Sequence, residues 1–173
     1  AMVSRAGGTL VYDAMQRLVG YAGEGYVQST TNRRLVRTGP AGRVLYLGEV
    51  EVTAMTKSFK MVLLEALLEV EGLRRPVALD ALAQHSRSVL DRRRPLLADL
   101  PAEVRTIAAA DPAWARYWRD NPVKAWTGGN RPPGTTAPFK LDGSTFALTQ
   151  SVPVEMAPAL ATMLQELVDY RLA

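Results

Sequence analysis

Thr56-Lys57-Ser58-Phe59-Lys60-Met61-Val62-Leu63-Leu64-Glu65-Ala66-Leu67-Leu68-Glu69-Val70-Glu71-Gly72 is the stretch on which the fold class turns. Val62, Leu63, Ala66, Leu67 and Val70 recur at the one, three and four residue steps of one helical face. Phe59, Leu64 and Leu68 widen that face beyond what a surface helix carries, so the spacing predicts a central, buried helix over about Lys57 to Glu71. Thr56 or Ser58 is placed to cap it and Gly72 to stop it. Glu65, Glu69 and Glu71 read as its wet side. Those glutamates interrupt the longest apolar stretch, Met61 to Val70, well short of the roughly 18 residues a membrane span needs.

Working outward, Leu10, Val11, Ala14, Met15, Leu18 and Val19 predict an amphipathic helix from Gly8 to about Ala22. A turn at Thr38-Gly39-Pro40-Ala41-Gly42 precedes a predicted strand, Arg43 to Val52. Pro76 is expected to open a helix carrying Val77, Leu79, Leu82 and Ala83, with a further helical stretch over Ser86 to Arg94. Pro101 opens a third piece to about Ala110, and Asp111-Pro112 caps a fourth with Trp114, Tyr117 and Trp118. Asn121-Pro122 is read as a break before Val123 to Trp126, and Thr127 to Pro138 as the longest loop. Asp142-Gly143 between Phe139-Lys140-Leu141 and Thr145-Phe146-Ala147-Leu148 predicts a hairpin. From Pro158, Leu160, Met163, Leu164, Leu167, Val168 and Leu172 line a last amphipathic helix. The expected fold is mainly α with a small β component (α+β), one compact domain over residues 8–173 with a central buried helix and a C-terminal hairpin plus helix. Residues 1–7, where Ala1 precedes Met2, are expected to be a cloning remnant or a disordered lead.

Composition narrows the function. The 173 residues, 47% apolar and 22% charged, suffice for a real core. Without cysteine there is no thiol nucleophile and no thiolate metal site, and one histidine, His85, leaves almost no imidazole chemistry. Nor is there a nucleophile elbow, a carboxylate cluster with a following lysine, or a phosphate-binding glycine loop: Gly128-Gly129 to Gly134 lacks the lysine and the preceding strand. A non-catalytic binding module is expected, with no cofactor, no metal and no membrane association, in the cytoplasm. Residues 1–60 hold eight basic against four acidic side chains, while residues 61–173 balance at thirteen each, so the formal charge of +4 is N-terminal in sequence. Of the 21 basic residues, 17 are arginine, the side chain suited to bidentate phosphate contacts.

Met55 to Ala173 also resembles a known domain. The Lys57-Ser58-Phe59-Lys60 start of the leucine-rich helix, then Asn121-Pro122-Val123-Lys124-Ala125-Trp126, then Phe139-Lys140-Leu141-Asp142-Gly143 and Phe146, are similar to the sulfur-binding domain of phosphorothioate-dependent type IV restriction enzymes. The same stretches, with Val168 to Leu172, are similar to the C-terminal accessory region of bacterial superfamily 2 (DEAD/DEAH-type) helicases. The resemblance implies double-stranded DNA as partner, including phosphorothioate-modified DNA, and a parent polypeptide active in restriction and bacterial defence. Because sulfur is larger, more polarisable and a poorer hydrogen-bond acceptor than oxygen, a site preferring it needs an apolar cup beside a cation. Carried over by position, Asn121, Pro122 and Ala125 form the cup, and Lys57, Ser58, Lys60 and Lys124 the charged and polar surroundings. Lys60 sits at a helix N-terminus, whose dipole and amides favour an anion. Arg33, Arg34, Arg37 and Arg131 are expected on neighbouring phosphates, a contribution that weakens with salt. Two positions depart from the pattern: Met61 stands where the family has proline, and Asn121 where it has an aromatic.

Three readings follow. The first is a DNA-binding module of a larger restriction or defence protein. The second is a docking domain of a larger helicase that uses Trp114, Trp118 or the last helix. The third is a binder of RNA or single strands that stacks bases on Trp114, Tyr117 and Trp118. Arg92-Arg93-Arg94 is read either as a helix end favouring cations or as a phosphate clamp.

Overall fold

A computed structural model describes the backbone of residues 9–12, 18–23, 26–29, 34–37 and 44–46, residue 50, and residues 53–129, 136–149, 152, 154 and 157–173. The architecture is α+β and mainly α, with the central helix, the hairpin and the last helix in their expected places. The stretch expected as one domain distributes over two compact units. One comprises residues 1–54 with 153–171 and Ala173; the other comprises 55–152 and Leu172.

In the first unit five strands form an antiparallel sheet in sequence order: β1 (Thr9–Tyr12), β2 (Leu18–Gly23), β3 (Tyr26–Ser29), β4 (Arg34–Arg37) and β5 (Val44–Tyr46). The helix expected from Gly8 to Ala22 is therefore a hairpin, in which Thr9 pairs with Ala22, Leu10 with Tyr21 and Val11 with Gly20. Apolar pairs at 10–11 and 18–19 fit a helical face by spacing. Thr9, Val11, Tyr12, Val19 and Tyr21 are nevertheless strand formers, Gly20 costs about 1 kcal/mol inside a helix, and β3 offers β2 a partner. The strand expected over Arg43 to Val52 shrinks to β5, and Val50 is helical and buried. The last helix, Ala157–Leu172, buries its expected stripe of Leu160, Met163, Leu164, Leu167 and Val168.

The second unit is built on helix α1 (Phe59–Glu69). Its residues from Met61 to Leu64, with Ala66 and Leu67, have no solvent exposure at all, so the helix is buried all round rather than along a stripe. Helix α2 runs unbroken over Leu79–Arg92, joining the two helices expected around Pro76 and Ser86. Strand β6 (Val77–Ala78) takes up the residues after Pro76. A 3-10 helix (Arg94–Asp99) and the single turn α3 (Ala102–Arg105) replace the longer piece expected after Pro101. Helix α4 (Pro112–Trp118) starts as expected, with Asp111 accepting the Ala113 N–H at 2.8 Å. No break follows at Asn121-Pro122. A π-helical turn (Arg119–Val123) carries the chain directly into α5 (Lys124–Trp126). Proline cannot donate the hydrogen bond of an interior helical position, and the wider turn absorbs that defect. The hairpin β7 (Phe139–Asp142) and β8 (Thr145–Leu148) pairs Asp142 with Thr145 across Gly143, whose φ of +58° is the left-handed conformation such turns require. Strand β6 adds to β8, giving the order β6-β8-β7.

Candidate nucleic-acid interface

The start of α1 and the run 119–126 lie 66 residues apart in sequence and meet through one bond. Trp126 donates its indole Nε1–H to the Lys60 carbonyl at 3.1 Å. The Lys60 ammonium lies 5.9 Å from the centre of the same indole, and the Lys57 ammonium 5.2 Å from the centre of the Phe59 ring. Both rings are buried, Phe59 stacking at a tilt on Trp118 at 5.4 Å and Trp126 edge-on against Phe139 at 5.9 Å. Each lysine thus lays its stem over an aromatic wall of the core and carries its charge to the surface. Lys124, exposed on α5, packs its stem on Gly129, where a β-carbon would come within 2.4 Å of Lys124 Cγ. Lys57, Lys60 and Lys124 are therefore brought to one corner of the 55–152 unit.

The cup is arranged differently from the expectation. Pro122 is buried, so its ring lines the interior and not the surface. Ala125 is half-buried, and Asn121 is exposed with its side-chain amide donated to the Tyr117 carbonyl at 2.8 Å. That bond engages a carbonyl next to the one that Pro122, lacking an N–H, cannot serve. The N-terminus of α1 also departs from the expectation of an open anion site. Ser58 is the N-cap residue but makes no side-chain cap. Its backbone N–H donates instead to Asp99 Oδ2 at 2.7 Å, so a carboxylate 41 residues away already faces the helix dipole. The Ser58 hydroxyl is buried without a hydrogen-bond partner.

Other candidates resolve into structural roles. Glu65 is buried rather than wet, with Arg93 Nε 3.0 Å from its Oε2; Arg92 bonds Glu69. Two members of the Arg92-Arg93-Arg94 run thus hold α2 against α1. Arg87 donates to the carbonyls of Ile107 and Arg105 at 3.1 and 2.8 Å and lies over the Trp114 ring. Trp114 and Trp118 are fully buried, Trp114 donating to the Ala83 carbonyl at 2.7 Å, so neither offers a stacking platform or a docking surface. His85 is exposed on α2. Burial holds the Tyr117 phenol above its ordinary value near 10, and the Glu103 carboxylate adds to the effect.

Of the arginines expected on phosphates, Arg33 and Arg131 lie outside the described residues. Arg34 and Arg37 are described by backbone alone, Arg34 opposite Tyr46 and Arg37 opposite Tyr26. A groove of about 270 Å³ lies between the start of α2 and α4, with Arg116 and Arg119 facing a rim that includes Asp80 and Asp111. Sequence reasoning missed Trp126 and Asp99 as organisers of the site. Trp126 was legible as an aromatic beside Lys124, but nothing in the sequence pairs it with Lys60. The chain matches no family model, no curated protein and no solved structure.

Proposed function

We propose that the chain is a non-catalytic module of a larger bacterial restriction or defence protein that binds double-stranded DNA through its backbone. The observation that carries the reading is the Trp126–Lys60 junction, which gathers Lys57, Lys60 and Lys124 on one corner. Charge supports it. Residues 55–152 hold fourteen basic and ten acidic side chains, whereas residues 1–54 with 153–173 hold seven of each. The protein's whole excess of +4 therefore belongs to the unit with the lysine corner. Flexible ammonium groups on a rigid aromatic base suit phosphate oxygens without fixing a base sequence. Reading of a phosphorothioate sulfur is part of the proposal through the resemblance and through Ala125, whose half-buried methyl follows Lys124 directly.

The test is a titration, at two salt concentrations, of a short duplex prepared with and without one phosphorothioate of defined stereochemistry, using the unaltered protein, Lys60→Ala and Arg34→Ala. Binding that weakens with salt and falls in Lys60→Ala supports the reading, and a preference for the sulfur duplex that survives high salt supports the cup. Absence of binding to either duplex at low salt sinks both.

A further inference from the structure

All four lysines of the chain, Lys57, Lys60, Lys124 and Lys140, lie in the 55–152 unit, against 17 arginines spread through the sequence. Three of them form the corner around Phe59 and Trp126. The fourth, Lys140, is exposed on β7 immediately after Phe139, whose ring packs edge-on against Trp126. Arginines of the same unit do different work. Arg87 and Arg105 donate to backbone carbonyls of the 98–107 segment, and Arg92 and Arg93 pair with carboxylates of α1. A planar guanidinium with five fixed donors suits such pinning, while a single ammonium on a flexible stem suits a mobile polyanion backbone.

Building on the DNA-binding reading above, we propose that the two cation types divide by role: the four lysines, with Lys140 of the hairpin included, are the phosphate-contacting set of this unit, and its arginines hold the fold. The hairpin then extends the lysine corner beyond the two segments joined by Trp126. Lys140 stands on the strand face opposite the buried Phe139, so its ammonium reaches a backbone strand flanking the one held at Lys57, Lys60 and Lys124.

This composition permits a chemical test on the intact chain. Sulfo-N-hydroxysuccinimide acetate acylates the lysine amines and the N-terminal amine and leaves guanidinium groups charged. An amide forms at Nζ, the succinimide ester bond breaks, and the proton goes to buffer. Reductive dimethylation modifies the same amines but keeps their charge. A labelled short duplex is titrated against untreated, acetylated and dimethylated protein, with circular dichroism confirming that each remains folded. Acetylation is expected to lower affinity at least about tenfold and to flatten the salt slope by roughly 0.9 for each phosphate no longer neutralised, whereas dimethylation leaves both nearly unchanged. Should acetylation disturb the fold, Lys57→Gln, Lys124→Gln and Lys140→Gln, all at exposed positions, are titrated singly and together. Lys140→Gln alone is expected to weaken binding about twofold to fivefold. Folded, acetylated protein that binds DNA as well as untreated protein would overturn the division of roles while leaving DNA binding itself standing. An unchanged Lys140→Gln would remove the hairpin from the set. If untreated protein binds no duplex at low salt, the DNA-binding reading fails and takes this inference with it.

Discussion

At Glu71 the backbone turns left-handed, with φ of +55°, and there the end of α1 departs from its sequence signal. The Gly72 N–H reaches back to the Leu67 carbonyl at 2.8 Å and the Glu71 N–H to Leu68 at 3.1 Å, the paired bonds of a Schellman ending. In such an ending glycine usually takes the left-handed position. Here a glutamate does, and Gly72 is needed one residue later for space, since a β-carbon there would lie 2.2 Å from Leu67 Cδ1. Glu71→Gly is expected to stabilise the protein by about 1 kcal/mol by relieving the left-handed strain, and Gly72→Ala to destabilise it by about 1–3 kcal/mol. Urea denaturation of the two variants checks both signs. Tyr117 supplies a pH dependence at the same scale. Its raised folded value means that the unfolded chain ionises first, so its contribution is whole below about pH 10 and is lost as pH climbs through the folded value. Urea midpoints followed into alkali should fall less steeply in Tyr117→Phe.

Among the elements, α1 shows why a cap signal and a cap differ. Ser58 occupies the N-cap position, yet Asp99, from the 3-10 helix, does the electrostatic work through the Ser58 amide. Replacing an N-cap serine ordinarily costs about 1 kcal/mol. Ser58→Ala is expected to cost nothing or to stabilise slightly, because it removes a buried hydroxyl that has no partner. Asp99→Ala is expected to cost about 1–2 kcal/mol, since it strips a charged acceptor from that amide. Thermal melts of the pair separate the two roles, and equal losses would refute the assignment. The helical run from α4 through α5 was only half legible: Asp111-Pro112 announces its start, but Asn121-Pro122 reads locally as a stop. Burial of Trp118, Val123 and Trp126 on the two sides of that dipeptide keeps the run helical across it.

For the molecule as a whole, folding relocates the charge. Divided by sequence at residue 60, the excess is N-terminal; grouped by compact unit, it lies entirely in residues 55–152. Under the proposed function, three lysines each engaging one phosphate give a slope of log affinity against log salt near −2.7 between about 50 and 200 mM. Engagement of Lys140 adds about 0.9 to its magnitude, and further engagement of the arginines on β4 would steepen it again. Duplex titration across that salt range measures directly how many phosphates are neutralised, and a slope near zero would exclude backbone binding.

Local physics was sufficient for the central helix, the Asp142-Gly143 hairpin, the Asp111 cap and the apolar stripe of the last helix. Each is specified by neighbours within a turn or two: the spacing of leucines, a glycine where φ must be positive, an acceptor beside a free amide. The sequence also put Lys57, Lys60 and Lys124 among the candidates. Only the tertiary structure decided that residues 9–23 pair as strands, because sheet bonds come from a partner that periodicity does not name. It alone buried Pro122, withdrew the α1 dipole behind Asp99, and joined Lys60 to Trp126. Those outcomes depend on groups 41 and 66 residues apart, whose meeting is set by how the core packs and leaves no mark in local sequence.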